Sequence, residues 1–479
     1  MTIVILSQVQ QTVLSGGKMG FTMSTSATFS TVTPEMQRKT LIGAVAGNLV
    51  EFLDFAMYGL LATVISKIFF PQNAPLTALL SVLLLYASSF LVRPIGGIVL
   101  GLAGDRWGRR SVLMITITGM SVVTGLTALL PTYAQAGTTA TVLLVICRLI
   151  QGFFAGGEYA TATDYIVENS DHKRRAFRAS FSPIGAYIGT VIAIGFYTLL
   201  SSLITTAQME IWGWRVLFAI GFPLGLVGLL IRRKLDESPE FRAVERARVE
   251  KNLKAPTVTQ VIRSQWKNML VFISILMSHT LPNYLILGFF ATYLTTFIGL
   301  SKPEAAMAVL VSQFVLIFST LLHGYLSDIV GRKLWLMLGC VLVIPSMFFA
   351  FTWAEHGTLN SAIVAAVVPV MIFPMVTSGM TISLVDMFPA EMRASAGAMA
   401  YNTGTALFGG TAPLIGAALI SWSGSAFTLV YYVAAVAVLS FISIGLFFRY
   451  SYRHPVSPYP SQPEAITSRE PMAQPVKRW

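Results

Sequence analysis

Long apolar runs recur along almost the whole chain, separated by short polar connections. A helix needs about 20 apolar residues to cross the hydrocarbon core of a bilayer. Twelve runs approach or exceed that length, and they lie at 41–66, 76–103, 111–132, 139–164, 179–203, 212–232, 268–298, 305–327, 334–354, 360–387, 395–421 and 425–448. The strands of a membrane barrel alternate apolar and polar residues over about 10 positions, and these runs do not alternate. The pattern therefore predicts an all-α integral membrane protein with twelve transmembrane helices.

The longest polar segment between predicted spans is 234–267, which has six spans before it and six after it. Charges of alternating sign over "DESPEFRAVERARVEK" predict a solvent-facing helix in this segment. We therefore predict a six-helix bundle at 39–232, a linker at 233–267 and a second six-helix bundle at 268–449. The end segments, 1–38 and 450–479, are rich in Ser and Thr or in Pro, Ser and Gln, and this composition predicts disordered tails.

Composition supports a membrane protein and explains the positive charge of the chain. Of its 479 residues, 54% are hydrophobic and 11% are charged, whereas soluble domains carry about 25% charged residues. The net charge is +12. Ten basic residues outside the basic linker lie in or beside the connections that follow even-numbered spans: Arg106, Arg109, Arg110, Lys173, Arg174, Arg175, Arg178, Arg332, Lys333 and Arg393. The positive-inside rule places these connections, the linker and both tails in the cytoplasm, so the charge indicates topology and argues against nucleic acid as a partner.

A ten-residue pattern occurs twice, as "GLAGDRWGRR" at 101–110 and "GYLSDIVGRK" at 324–333. Both copies follow G-x-x-x-D-x-x-G-R-[RK] and connect the second and third predicted spans of their own half. A second similarity joins "VENSDHKRRAFRAS" at 167–180 to "VDMFPAEMRASAG" at 385–397, each between the fourth and fifth spans of a half. Duplication explains both. Two repeated halves around a site at the bilayer midplane are typical of secondary transporters.

The repeated connections are our candidates for a cytoplasmic gate. Glycine permits a tight turn, the aspartate can cap a helix or pair across the cytoplasmic face, and the basic pair can bridge acids on neighbouring helices. The gating candidates from these connections are Gly101, Asp105, Arg106, Gly108, Arg109, Arg110, Asp328, Gly331, Arg332, Lys333, Asp386 and Arg393. For Arg109, Arg110 and Lys333, an alternative role in anchoring the topology stays open.

The repeated decapeptide resembles motif A of the major facilitator superfamily. Other segments are similar to its metabolite:proton symporter family, which includes transporters of 2-oxoglutarate, citrate, shikimate and proline/betaine. These segments are "GNLVEFLDFAMYG" at 47–59, "FLVRPIGG" at 90–97, "RLIQGFFAGGEY" at 148–159, "WGWRVLF" at 212–218, "LDESPEF" at 235–241 and "DMFPAEMRASAG" at 386–397. The resemblance covers roughly residues 38–450. It implies two pseudo-symmetric bundles that rock between inward-open and outward-open states.

The resemblance also implies the partners of the protein. A small-molecule solute and protons would cross together, driven by the proton gradient and without a cofactor or a metal. The chain would work as a monomer in the bacterial inner membrane, with the lipid bilayer as its surroundings.

The first span carries the strongest candidates for proton coupling, because an ionisable residue inside a membrane helix indicates function by default. Asn48, Glu51, Asp54 and Tyr58 lie within about 120° of arc at roughly 100° per residue. A symporter needs a buried carboxylate that takes up and releases a proton. Glu51 is our first choice for this role and Asp54 is the second, while Asn48 and Tyr58 are candidates for substrate binding. The alternative is a structural ion pair with Arg93 or Arg148.

The fourth span supplies the opposite charge, because Arg148, Gln151 and Glu158 share one arc of that helix. A buried arginine stays protonated and needs an anion, either a fixed carboxylate or a carboxylate of the substrate. Protonation of Glu51 or Glu158 would therefore free Arg148 to bind an anionic solute. We predict Arg148 and Gln151 as substrate-binding residues and Glu158 as a third proton-coupling residue.

The seventh and eleventh spans add weaker candidates. His279 with Asn283 one turn later can bind substrate, although a lone buried histidine is more often a satisfied core residue. Tyr284, Tyr401 and Asn402 can line the cavity, although aromatic residues at such positions usually serve packing.

Comparison with the family refines two more positions and leaves the substrate open. Arg93 is similar to an arginine in members with different substrates, which favours a gating or structural role. Asp164 departs from the family, which has a small or hydroxyl residue there. It lies off the Arg148 face near the cytoplasmic end of the span, which favours a gate role over a substrate role. Arg148 resembles the organic-acid transporters and favours a small carboxylate as the solute, whereas "GFPLGLVGLLIRRKLDESPEF" resembles the proline/betaine transporters.

Other classes of function fit less well. The sequence holds no HExxH, GxSxG or P-loop motif and only five histidines, so we predict that the protein is not an enzyme. Cys147 and Cys340 both lie inside predicted spans, which argues against a disulfide framework and a metal site. A receptor without transport and a proton-independent uniporter stay as alternatives.

Overall fold

The computed structural model of the protein describes residues 34–71, 75–170 and 174–453, and most of the two predicted tails lies outside these ranges. The described chain is helical and contains no strand. Its twelve helices of membrane-spanning length and hydropathy are α1 Glu35–Leu60, α2 Ala87–Trp107, α3 Arg109–Ala128, α4 Thr138–Glu168, α5 Arg175–Leu203, α6 Thr206–Arg233, α7 Val258–Thr296, α8 Lys302–Val330, α9 Arg332–Ala354, α10 Leu359–Asp386, α11 Arg393–Ser423 and α12 Phe427–Phe448. The predicted fold class is confirmed.

Capping residues explain where the helices around the linker begin. The α7 helix begins at Val258, ten residues before the predicted start at 268, because Thr257 and Gln260 form a capping box in the polar segment. In the linker, Ser238 caps a helix at Pro239–Glu250 by accepting the N–H of Phe241. We call Pro239–Glu250 the linker helix. The alternating charges had predicted this helix.

Two glycines form the turns of the repeated decapeptides. Gly108 between α2 and α3 has φ 93°, and Gly331 between α8 and α9 has φ 100°. These values lie in the left-handed region, which side chains with a Cβ atom adopt at a cost of roughly 1–2 kcal/mol. The last glycine of each decapeptide is therefore required by the turn itself.

The first glycine of each decapeptide lets the two halves approach each other. A Cβ on Gly101 would lie 2.7 Å from the Cα of Ser395, and a Cβ on Gly324 would lie 3.0 Å from the Cα of Phe177. The α2 helix therefore packs on the start of α11, and α8 packs on the start of α5. These two crossings, each between one half and the other, lie on the membrane face that carries the connections α2–α3, α4–α5, α6–α7, α8–α9 and α10–α11. We call it the basic face.

Segments of π-helix interrupt α7 at Leu285–Phe289 and α11 at Thr405–Gly410. Such wide turns occur often at functional sites. They follow Tyr284 and Asn402, which were expected to line the cavity. The wide turns therefore place irregular backbone near the middle of the second half.

Candidate transport site and gate

A buried ion pair joins α1 to the helix that carries Arg93. The Nη2 atom of Arg93 lies 2.8 Å from the Oε1 atom of Glu51, and both side chains are almost completely buried. The guanidinium lies 4.8 Å from the ring centroid of Phe90. Arg93 was predicted to gate, but the structure places it against Glu51 rather than with the charged residues of the basic face. The pairing with Arg93 is one of the two alternatives that the sequence left open for Glu51.

A second buried pair lies one turn further along α1. Arg148 Nη1 lies 3.0 Å from Asp54 Oδ2, and Asp54 Oδ1 accepts hydrogen bonds from Thr124 and Gln151, both at 2.8 Å. The Arg148 guanidinium lies 4.1 Å from the ring centroid of Tyr58. Gln151 and Tyr58, both predicted to bind substrate, therefore hold Asp54 and Arg148 in place.

Phe55 connects the two ion pairs, and the sequence analysis did not identify it. Its ring centroid lies 4.7 Å from the Arg93 guanidinium and 4.3 Å from that of Arg148. Cation–π attraction is strengthened when the cation is desolvated, so this ring stabilises both charges. The available signal was its spacing, since Phe55 directly follows Asp54 and lies one helical turn after Glu51.

The third proton-coupling candidate does not face Arg148. Glu158 accepts a hydrogen bond from Arg232 Nη1 at 3.0 Å, a second from Arg232 Nη2, and one from Thr116. Gly47 leaves the space for this pair, because a Cβ there would overlap both charged groups. Arg148 pairs with Asp54 rather than with Glu51 or Glu158, so the predicted release of Arg148 by protonation of Glu51 or Glu158 does not fit this arrangement. The sequence analysis did not identify Arg232, the last residue of the sixth predicted span, as the partner of Glu158.

Asn48 and His279 have structural partners. The Nδ2 atom of Asn48 donates to the backbone oxygen of Ser182 at 2.7 Å, which ties α1 to α5. His279 Nδ1 lies 2.7 Å from the hydroxyl of Thr377, so this histidine matches the satisfied core residue that the sequence left as its alternative. Asn283 is buried one turn later, and its Oδ1 has no hydrogen-bond partner among the described residues.

Aromatic residues join the two halves at the centre of the molecule. Tyr159 of α4 stacks on Tyr401 of α11 with ring centroids 4.3 Å apart. Phe90 packs edge-on against Tyr284 of α7 at 5.5 Å. The neighbouring Asn402 donates to the backbone oxygen of Gly156 at 2.6 Å. The rings predicted to line a cavity therefore form contacts between the halves in this closed state.

On the basic face, the aspartate of each decapeptide caps a helix of the opposite half. Asp105 accepts hydrogen bonds from the N–H groups of Ala394 at 3.2 Å and Ser395 at 3.0 Å, at the start of α11. Asp328 accepts from the N–H groups of Ala176 at 3.0 Å and Phe177 at 2.9 Å, at the start of α5. A carboxylate stabilises the positive end of a helix dipole. The two aspartates thus fasten the halves together by the same geometry.

Arg109 lies beside Asp105, at the contact between α2 and the start of α11. It donates to the backbone oxygens of Gly104 at 2.9 Å and Ala390 at 3.0 Å. It also forms ion pairs with Asp105 and Glu168, both at 3.3 Å. Because Ala390 belongs to the second half, Arg109 bridges the halves as predicted for a gate residue.

Glu168 and the linker helix complete this contact. Arg393 pairs with Glu168 at 2.8 Å and with Glu240 of the linker helix. Ser238 donates to Glu168, and Arg248 donates to the backbone oxygen of Glu391 at 3.0 Å. Glu168 was not among the predicted site residues, although it lies in the segment 167–180, which is similar to the segment 385–397. We call the contacts of Asp105, Arg109, Glu168, Glu240, Arg393, Asp328 and Asp386 the basic-face gate.

Glu237 and Glu240 of the linker differ in their electrostatics. Burial raises the pKa of Glu240, but the adjacent Arg393 outweighs burial, so the pKa lies below its ordinary value of 4.5. Burial raises the pKa of Glu237 above 4.5, although this carboxylate accepts the N–H groups of Arg109 at 3.0 Å and Arg110 at 3.1 Å. Glu240 is therefore ionised throughout the neutral range.

The second decapeptide makes fewer contacts than the first. Arg332 pairs with Asp386, which also pairs with Arg175 of the first half at 2.9 Å.

Lys333 donates to the backbone oxygen of Gly445 at 2.7 Å. In the first copy, Arg110 donates in the same way to the backbone oxygen of Arg233 at 2.8 Å, and Arg106 is exposed.

Asp164 of α4 lies near Asp105, Arg109 and Glu168, and it is 1% exposed. Neither of its carboxylate oxygens has a hydrogen-bond partner among the described residues. Across the same part of the chain, no cluster of three His, Cys, Asp or Glu side chains is placed to hold a metal ion.

Known proteins resemble the chain over most of its length. Family models match residues 39–256 as "Sugar (and other) transporter" and residues 275–478 as "Major Facilitator Superfamily". The proline/betaine transporter of Escherichia coli K12 is 31% identical over 85% of this chain and 82% of that protein. A glycine betaine/proline/ectoine/pipecolic acid transporter of Dickeya dadantii is 32% identical over 88% and 84%.

Two further comparisons concern sequence and fold. An ectoine/proline transporter of Corynebacterium glutamicum is 33% identical over 89% of this chain and 86% of that protein. The solved structure of the proton:xylose symporter XylE aligns with a TM-score of 0.73 at 18% identity, over 87% of this chain and 96% of that chain. This likeness shows the shared fold.

Proposed function

The chain belongs to the major facilitator superfamily, in its metabolite:proton symporter family, and we propose that it imports a small zwitterionic solute of the proline and betaine class with protons. The relatives named as proline, betaine and ectoine transporters support this solute class. They favour the alternative that "GFPLGLVGLLIRRKLDESPEF" indicated over the organic acid that Arg148 indicated. Both classes carry a carboxylate, so an arginine anchor serves either one.

The Glu51–Arg93 pair is the observation that carries the proposal. It is fully buried and lies beside the contact between the halves, since Arg93 packs on Phe90 and Phe90 packs on Tyr284 of the second half. An ion pair taken out of water is stable only while both charges are present. When the Glu51 carboxylate takes up a proton, its attraction for Arg93 is lost and the guanidinium becomes available to the carboxylate of the solute.

The second ion pair has a different task. Asp54 is already held by Arg148, Thr124 and Gln151. Three polar contacts of this kind fix one geometry, so we assign Asp54 and Arg148 to positioning Phe55 between the two guanidinium groups. This assignment moves the main substrate anchor from Arg148 to Arg93.

Aromatic rings next to the pair suit the other end of a zwitterion. Tyr159 and Tyr401 stack between the halves, and Phe55 and Phe90 lie against Arg93. Ammonium groups, above all alkylated ones, bind to aromatic faces by cation–π attraction. Separation of the Tyr159–Tyr401 stack would expose two such faces next to the carboxylate anchor.

The test uses purified protein in liposomes that contain a trapped pH dye, without an imposed gradient. Glycine betaine, proline, ectoine and a series of mono-, di- and tricarboxylates are added in turn, and acidification of the lumen is recorded. We expect acidification with the zwitterions and none with the Glu51→Gln variant. The control is Glu210→Gln, which removes a carboxylate from the surface pair with Lys67 and should behave as wild type.

Each outcome is informative. Acidification by carboxylates alone would replace the proposed solute class with organic acids. Equilibration of labelled solute without acidification, in wild type and Glu51→Gln alike, would identify a uniporter and overturn the coupling role of Glu51.

A further inference from the structure

Asp164 lies near the basic-face gate but differs from the acids that form it. It is 1% exposed, and neither carboxylate oxygen accepts a hydrogen bond from any described residue. Asp105 and Glu168 each accept several hydrogen bonds and ion pairs. An ionised carboxylate without hydrogen bonds is one of the most costly groups to bury, and such a group usually becomes neutral instead. The surroundings of Asp164 therefore favour its uncharged form.

The arginines near Asp164 are already engaged by other acids. The charged groups that act on it most strongly are Glu168 of its own helix, Arg109 of α3, Arg393 of α11 and Asp105 of α2. Arg109 pairs with Asp105 and Glu168, and Arg393 pairs with Glu168 and Glu240. Two positive charges thus meet three negative ones, a sum of −1 before Asp164 and Arg248 are counted.

Arg248 of the linker helix adds a third positive charge, which acts on Asp105, so the charges sum to zero before Asp164 is counted and to −1 when Asp164 is ionised. Arg248 donates to the backbone oxygens of Asp105 at 2.5 Å and Glu391 at 3.0 Å. Arg175 pairs with Asp386. The parts of α5 and α10 that pack near Val167, the third residue after Asp164, are apolar. An ionised Asp164 would add a like charge one helical turn from Glu168, which is an unfavourable spacing.

We propose that Asp164 is a second proton-binding site of the protein, protonated while the basic-face gate is closed. When the gate opens and water reaches the carboxyl group, its O–H bond breaks and the proton passes to water at the basic face. The ionised Asp164 then repels Glu168 and opposes closure, so the gate closes only after a proton has been bound again. This site goes beyond the solute proposal, because it holds for any cargo and does not involve Glu51.

The first test observes the protonated acid directly. Infrared spectra of the protein in lipid nanodiscs at neutral pH are recorded for wild type, Asp164→Asn and Glu168→Gln, without solute. We expect wild type to show a carbonyl stretch of a protonated carboxylic acid that Asp164→Asn lacks and Glu168→Gln retains. An unchanged protonated-acid band in Asp164→Asn would overturn the proposal. Labelling wild type with ¹³C at the aspartate carboxyl carbon assigns the band to an aspartate even if the variant folds poorly.

The second test measures the gate. Cys147 and Cys340 are buried, so spin labels can be attached to Lys234→Cys, which directly follows α6 at the start of the linker, and to Ile329→Cys in the second half, both of which are exposed positions. The distance distribution is recorded from about pH 5 to pH 8 in a Glu51→Gln background, which removes titration at Glu51.

We expect the open fraction to rise with pH, by up to about tenfold per pH unit for one linked proton. Asp164→Asn, whose amide imitates the protonated acid, should keep the gate closed at every pH. A pH dependence that survives in Asp164→Asn would refute the site. Failure of the solute panel would leave both of these measurements intact, so the two proposals are tested separately.

Discussion

The two copies of the decapeptide use the same geometry in unequal surroundings. Asp105 and Asp328 each cap a helix of the opposite half with two N–H contacts. Asp105 is completely buried and also pairs with Arg109 and with the hydroxyl of Ser395 at 2.6 Å. Asp328 is half-buried, and the arginine of its copy pairs with Asp386 instead.

The different surroundings of the two copies indicate why they contribute unequally to the basic-face gate. The linker follows only the first half, and its helix covers the first copy through Arg248 and the Arg109–Phe241 contact at 5.4 Å. Burial strengthens charged hydrogen bonds and makes their loss costly. The contacts of the first copy therefore stabilise the closed basic-face gate more than the contacts of the second copy do.

Replacement of the two aspartates should show this inequality most clearly. Asp105→Asn leaves buried Arg109 without one of its carboxylates, so we expect the closed state to lose about 2–4 kcal/mol. Asp328→Asn weakens a half-buried cap and should cost about 1 kcal/mol. The measurement is the open fraction at neutral pH from labels at Lys234→Cys and Ile329→Cys. Equal shifts for the two variants would contradict the inequality.

The turn glycines Gly108 and Gly331 allow a second comparison of the two copies, because the free space around them differs. Both occupy the left-handed region, but a Cβ on Gly108 would also overlap the Glu237 carboxylate, whereas the space around Gly331 is open. Gly331→Ala should therefore cost roughly 1–2 kcal/mol from backbone strain alone. Gly108→Ala should lower thermal stability more, because Glu237 must also release the N–H groups of Arg109 and Arg110. A smaller loss of stability in Gly108→Ala than in Gly331→Ala would show that Glu237 moves aside freely.

The decapeptides show how far the sequence could predict the gate. The spacing G-x-x-x-D-x-x-G predicted tight turns and capping aspartates, because both depend on a few neighbouring residues. The buried ion pairs were harder, since their members lie far apart in sequence. Arg232 pairs with Glu158 across 74 positions and Arg148 with Asp54 across 94. Spacing on one helix places side chains on a face but does not identify the facing helix, and this limit explains the wrong partner for Glu158.

The linker helix provides a test with a predicted pH dependence. Glu240→Gln removes an ion pair with Arg393 that is partly exposed on the linker side, so we expect a cost of about 1 kcal/mol to the closed gate. A carboxyl whose pKa is lowered contributes fully above its ordinary value, here 4.5, and loses its effect only as the pH falls through the lowered value. The cost should therefore be constant from about pH 5 to pH 8. The control is Asp236→Asn, whose partner Arg242 lies 3.7 Å away on the surface.

The outcome separates two sources of pH dependence at one gate. A cost that varies over this range would mean that Glu240 titrates there, and the pH response assigned to Asp164 would then have to be measured in a Glu240→Gln background. An effect of Asp236→Asn equal to that of Glu240→Gln would show that the linker acts through its net charge rather than through Arg393.

The final basic residue of each decapeptide should have the smallest effect, and it tests whether the inequality extends through the whole motif. Arg110 and Lys333 each donate to one backbone oxygen at the end of a neighbouring helix of their own half. Neither contact crosses between the halves, so opening the gate leaves both intact. We expect Arg110→Gln and Lys333→Gln to change the open fraction by less than about 0.5 kcal/mol, because charged side chains that are only partly buried contribute little. A shift by Lys333→Gln as large as that of Asp328→Asn would assign Lys333 to the gate. If neither variant shifts the open fraction, the topological role that the sequence left open for these two residues is the better explanation.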